Sequence, residues 1–213
     1  MIAIFNIIAK ILSLVFYPLF VPTYGIALFC YVWSVQAIQP VPLVWTAIAV
    51  TGTLVFTCVL PISAIWIMMQ RGKVKDMQIA DSRERTMPYV YTLCGFAFWS
   101  YLMVAVLKAP IYLGLVCIGA TVAIGIVMLV NKYWKISAHL TGIGGFFGGL
   151  MSYFLGVGNV PSWGTLSLCL IVSLMLMCSR VYLKAHTSAQ VCAGWLLGLA
   201  CTFLPYYFVF YAG

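Results

Sequence analysis

Apolar residues run in long unbroken stretches along this chain, and the polar residues gather in short clusters between them. Seven stretches stand out, roughly residues 20–36, 43–70, 88–107, 110–131, 138–157, 162–178 and 189–210. Crossing the hydrocarbon layer takes about 20 apolar residues in a helix, and most of these runs are that long. Alternating ten-residue segments, the mark of a membrane barrel, are absent. The pattern predicts an all-α, polytopic transmembrane helical bundle with about six to seven spans, forming a single domain over 1–213. Residues 1–19 stand apart. They are apolar from Ile2 but broken by Lys10 and Pro18, with neither a basic start nor a small-residue cleavage site. They read as an interfacial or half-inserted helix and not as a removable signal.

Composition sharpens this. Hydrophobic residues make up 65% of the chain and charged residues only 7%. That excludes a soluble globular domain. The longest polar connection, 71–86 (RGKVKDMQIADSRERT), is too short to fold alone, so any chemistry belongs at the membrane face. The eight cysteines (Cys30, Cys58, Cys94, Cys117, Cys169, Cys178, Cys192, Cys201) are scattered through apolar runs, and none forms a C-x-x-C pair. They read as small buried hydrophobes, not as disulfides or zinc ligands. No metal or other cofactor is expected, and no nucleic-acid partner. In the fifth run, GIGGFFGG (Gly142 to Gly149) has the small-residue spacing of close helix packing.

The charges then fall unevenly. If the runs alternate across the bilayer, ten of the eleven cations share one face with all three acids and both histidines, and only Lys108 lies opposite. The positive-inside rule accounts for cations in loops and argues for a cytoplasmic face. It does not account for His139 and His186 at the mouths of two separate spans, where ionisable groups tend to be functional. Three segments carry this cluster: R-E-R-T-M-P (Arg83 to Pro88), K-I-S-A-H (Lys135 to His139) and S-R-V-Y-L-K-A-H (Ser179 to His186). They offer Arg83, Arg85, Lys135 and Arg180 as cations and Ser137 as a hydroxyl beside the two imidazoles. Guanidinium forks match phosphate oxygens, a neutral imidazole can attack phosphorus, and a second can protonate a leaving oxygen.

These residues resemble the type-2 phosphatidic acid phosphatase superfamily, whose motifs are K-x6-R-P, P-S-G-H and S-R-x5-H-x3-D. Ser179, Arg180 and His186 match the third, with Gln190 where Asp stands in the family. Ser137-Ala138-His139 matches S-G-H, with Ile136 in place of proline. The first match is loose: Arg85 fits, but Gln78 takes the lysine position and Pro88 comes three residues after Arg85. The resemblance covers roughly 71–200. It implies that His186 attacks phosphorus, that His139 protonates the departing oxygen, and that Arg180, Arg85 and Ser137 hold the phosphate beside Ser179 and Arg83. Lys135 stands to replace the charge missing at Gln78.

The implied activity is metal-independent hydrolysis of a membrane lipid phosphate or diphosphate through a phosphohistidine. Candidate substrates are polyprenyl diphosphate, phosphatidylglycerophosphate, phosphatidate or a lipid A phosphate, met among membrane lipids, with a bacterial inner membrane as the expected location. Many relatives acting on polyprenyl diphosphates face outward, against the charge bias, so the side stays open. Gln190, four residues after His186, can accept the ring N–H but carries no charge to stabilise an imidazolium. Either it suffices at lower rate, or Asp76, Asp81 or Glu84 substitutes for the missing acid. The remaining possibility is a non-catalytic lipid-phosphate binder or transporter on the same fold.

Overall fold

The computed structural model describes residues 2–36, 41–75, 84–156 and 162–211. All regular structure among them is helical, in eight helices: α1 (Ile2–Val15), α2 (Val21–Gln36), α3 (Leu43–Gln70), α4 (Thr86–Val106), α5 (Ile111–Val130), α6 (Ala138–Gly156), α7 (Trp163–Tyr182) and α8 (Ser188–Tyr211). Five of these described helices are long and apolar enough to cross a membrane: α3, α4, α5, α7 and α8. The bundle is a membrane protein's. Lipid-facing positions carry large apolar side chains left exposed, such as Leu43, Trp163, Leu168 and Phe208.

α6 has the 19 residues a span needs, but its glycines dilute its hydropathy. Its position explains why that is tolerated. Leu140, Ile143, Leu150, Tyr153 and Phe154 are all fully buried, so α6 runs through the middle of the bundle and meets protein instead of lipid. Its most extensive partner is α8. A Cβ on Gly144 would overlap the Trp195 backbone, and one on Gly198 would overlap the Thr141 carbonyl. Only glycine lets these two backbones approach so closely.

α3 continues through Pro61 by opening one wide turn over Val55–Val59, where the Leu60 N–H donates to the Val55 carbonyl. The missing proline N–H is absorbed there without breaking the helix. The largest core cluster joins α2 to α6 around Phe29, Trp99, Met103 and Tyr153. A second cluster, Leu140, Ile143, Leu176 and Val191, ties α6, α7 and α8 together next to the ends that carry both histidines.

The 14-residue α1 is too short to cross a hydrocarbon layer as a helix,. It docks on α7, burying Ala9 and Ser13 while Ile4, Ile7, Ile11 and Leu14 stay exposed. Ser179 on α7 donates its hydroxyl proton to the Ala9 carbonyl at 2.7 Å, and Ser13 completes the link at 3.4 Å.

Candidate active site

The ends of α1, α4, α5, α6, α7 and α8 meet at one end of the bundle, and local backbone chemistry fixes how. α7 ends in a Schellman motif. The Lys184 N–H donates to the Val181 carbonyl (2.9 Å), and the Ala185 N–H to the Arg180 carbonyl (3.1 Å). Lys184 takes the left-handed conformation this motif requires, with φ 53°. The His186 N–H reaches the same Arg180 carbonyl at 3.4 Å. The five-residue gap between Arg180 and His186 is therefore the length of one helix stop, folded so that the two residues become neighbours. Lys184→Gly, which removes a strained Cβ at an exposed position, is expected to stabilise the protein by about 1 kcal/mol with the site intact; thermal unfolding in detergent checks this.

The start of α8 explains Gln190. Thr187 and Gln190 form a capping box: the Gln190 N–H donates to Thr187 Oγ1 (3.4 Å), while the Thr187 N–H donates to Gln190 Oε1 (3.1 Å). A backbone N–H can only donate, so the atom facing it is the amide oxygen. That same oxygen lies 3.2 Å from His186 Nδ1. A neutral His186 that makes this bond carries its ring proton on Nδ1, and the Lys135 backbone carbonyl lies against the same ring as a second acceptor,. Gln190 is thus a helix cap and an acceptor for the His186 ring at once.

His139 opens α6 and is held differently. Its Nε2 donates to the backbone carbonyl of Ser13 at 3.1 Å, and the Tyr17 ring stands edge-on to it with centroids 5.8 Å apart. A residue of α1 thus orients one histidine and Gln190 orients the other. Ser137 is completely buried as the cap of α6: its hydroxyl accepts the Leu140 N–H at 3.5 Å, and its own N–H donates to the Gln190 carbonyl. Ser179 is also buried, and its hydroxyl proton is committed to Ala9. It anchors α1 and has no proton to offer a phosphate.

The cations converge. Arg85 donates from Nη1 to Asn131 at 3.5 Å, which places the start of α4 against the end of α5; Asn131 in turn donates to the Tyr89 hydroxyl and the Val127 carbonyl. Arg180 lies close enough for its charge to act on both histidines and on Lys135, and Arg85 acts on both Lys135 and Arg180. Among the described residues, the buried Nε–H of Arg180 has no hydrogen-bond partner. Leaving a buried charged donor unmade costs more than a neutral one, so a pocket built this way suits an anion. Arg83, Asp76 and Asp81 lie outside the described residues. Glu84 is engaged in its own loop, accepting the Lys75 N–H at 3.0 Å with the Lys75 ammonium 3.8 Å away.

The electrostatics follow from this crowding. Burial, then the neighbouring charges of Arg85 and Arg180, push the Lys135 ammonium below its ordinary range. Burial and the charges of Arg180 and Lys135 likewise push His186 down from 6.5 to about 4, against the opposing pull of Gln190 and the Lys135 backbone carbonyl. The imidazole is therefore neutral at physiological pH. Since the unfolded chain takes up the proton first, this group's stabilising contribution is complete above pH 6.5 and is lost as pH falls toward 4. Nitrogen NMR of ring-labelled protein is expected to show His186 with the proton on Nδ1 and a midpoint near 4; a midpoint near 6.5 would mean that the ring is solvated and unlocked.

No family model matches the chain, and no curated protein or solved structure matches it either. The functional reading accordingly rests on the residues themselves. Sequence reasoning missed Ser13, Tyr17, Asn131 and Thr187. Asn131 and Thr187 sit at polar ends of apolar runs and could have been noticed. A backbone carbonyl from α1 leaves no trace in a motif.

Proposed function

We propose that this protein is a metal-independent lipid phosphatase, hydrolysing a membrane lipid phosphate or diphosphate, with a bacterial inner membrane as its expected home. The observation that carries the reading is the convergence of Arg180, its buried Nε–H without a partner among the described residues, with Lys135, Arg85 and a neutral His186 whose ring Gln190 orients. The residues would act in order. Arg180, Arg85 and Lys135 hold the phosphate oxygens and stabilise the charge that develops on them. His186 Nε2 attacks phosphorus, the bond to the lipid oxygen breaks, and the lipid alcohol leaves with a proton from His139. The bound anion favours the protonated form of His139 beside it. Water then attacks the phosphohistidine and gives a proton back to His139, the N–P bond breaks with its electron pair returning to Nε2, and inorganic phosphate departs.

Ser137, completely buried as the cap of α6, orders the start of the helix that carries His139. The test is phosphate release from a panel of lipid phosphates by purified protein in excess chelator. Release that vanadate inhibits supports the reading; no release from any member contradicts it. A non-catalytic lipid-phosphate binder is the second reading. It is favoured by one feature: Gln190 gives His186 orientation but no charge, and Glu84 is held by Lys75.

A further inference from the structure

The phosphate end of the bundle opens onto a chamber that the chemistry above does not use. Its accessible cavity volume is about 80 Å³, and α2, α3, α4, α5, α6 and α8 line it. Its wall starts at residues bonded or adjacent to the site. Pro18 follows Tyr17, Ala138 precedes His139, and the Val127 carbonyl accepts from Asn131, which holds Arg85. From Ala138 the lining continues down α6 to Leu150, twelve residues or about 18 Å along a helix.

The wall is apolar in effect as well as in composition. Its hydroxyls are bonded to protein partners. Thr53 donates to the Ala49 carbonyl, Thr57 to Thr53, Thr141 to Ser137 and Thr202 to Gly145, while Ser100 pairs with Thr121. Trp99 donates its indole N–H to Thr53. A space without spare hydrogen-bonding groups holds hydrocarbon, not water or a polar ligand.

The glycines of α6 fall on two sides of the helix. Gly144 and Gly148 seal the helix against α8, where a Cβ would overlap backbone. Gly142 and Gly149 line the chamber instead, and a Cβ there would meet only ordinary contacts, Val21 and Val116 at 3.4 Å. The same helix thus meets backbone on one side and side chains on the other.

We propose that this chamber receives the hydrocarbon chain of the lipid whose phosphate meets Arg180, Lys135 and Arg85, so that the substrate's tail is drawn into the bundle instead of remaining in the bilayer. The inference rests on the lipid-phosphate reading above. Tail length is then read by depth. On α5, Val127 lies at the phosphate end, Ala123 about 6 Å further in and Ala120 about 10 Å further in.

The experiment uses full-length protein in nanodiscs with n-alkyl phosphates of increasing chain length, measuring binding and phosphate release separately. For the parent, affinity is expected to rise with each methylene and then level off once the chamber is full. Ala120→Leu moves the plateau to shorter chains, and Ala123→Leu moves it further, with at least about a tenfold loss on the longest chains, the worth of about two methylenes. Leu150→Ala, at the chamber floor, moves it to longer chains. Because the readout is the plateau position within each variant, a general loss of folded protein does not imitate it. An identical profile in all four proteins overturns the chamber. If the plateau shifts in binding while no phosphate is released, the chamber stands and the phosphatase reading falls. Release with no shift leaves the phosphatase and removes the chamber.

Discussion

Arg180→Ala and His186→Ala are each expected to reduce phosphate release to background, the largest effects in the molecule. Arg180 acts on both histidines and on Lys135, and its buried Nε–H has no partner among the described residues to fall back on. Removing it deletes the donor nearest the developing charge, and losing even one such donor typically costs about 10²–10³ in rate. Arg180→Lys should rescue little, because a point charge cannot reproduce a planar fork. His186→Ala removes the proposed nucleophile. Lys184→Ala is the control: its ammonium is exposed, its role is to sit in the Schellman turn, and turnover should stay near the parent's. Single-turnover rates on a lipid phosphate check all four. Full activity in purified His186→Ala would sink the nucleophile assignment.

Gln190 carries the second large effect, and its structure makes the substitutions distinguishable. Gln190→Ala loses the acceptor for both the Thr187 N–H and His186 Nδ1, freeing the ring and fraying the start of α8. A loss of about 10²–10⁴ is expected, the range of acid–base positioning, together with about 1 kcal/mol of capping. Gln190→Glu keeps the capping box, since Glu serves as well as Gln at that position, and adds the charge that stabilises an imidazolium. Activity should hold or rise, and the His186 midpoint should move up from about 4,. That upward shift is a signature a merely structural cap would not give. Parent-like turnover in Gln190→Ala would show that the orientation argument is wrong.

How much of this was legible in the sequence depended on range. Apolar runs predicted α3 to α5, α7 and α8, because hydrocarbon length dictates helix length directly. The one-ended clustering of Arg85, Lys135, His139, Arg180 and His186 also followed, from simple alternation of spans. The Gly142–Gly149 stretch was half readable: its spacing announced close packing, but only the tertiary arrangement separates the glycines that seal against α8 from those that line the chamber. Gln190 looked like a defect in a motif. T-S-A-Q is a capping signature, and reading it as one would have given the side chain its position and its oxygen's orientation. The roles of Ala9 and Ser13 were not readable, since both act through backbone carbonyls that every residue possesses.

The account turns on His186 forming a bond to phosphorus. Rapid quench of purified protein with radiolabelled lipid phosphate, in excess chelator, tests this most directly. The expected result is a transient phosphoenzyme, labile in acid and stable in base, that maps to the peptide carrying His186 and disappears in His186→Ala. Phosphate release without such an intermediate, or label on any other residue, would contradict it.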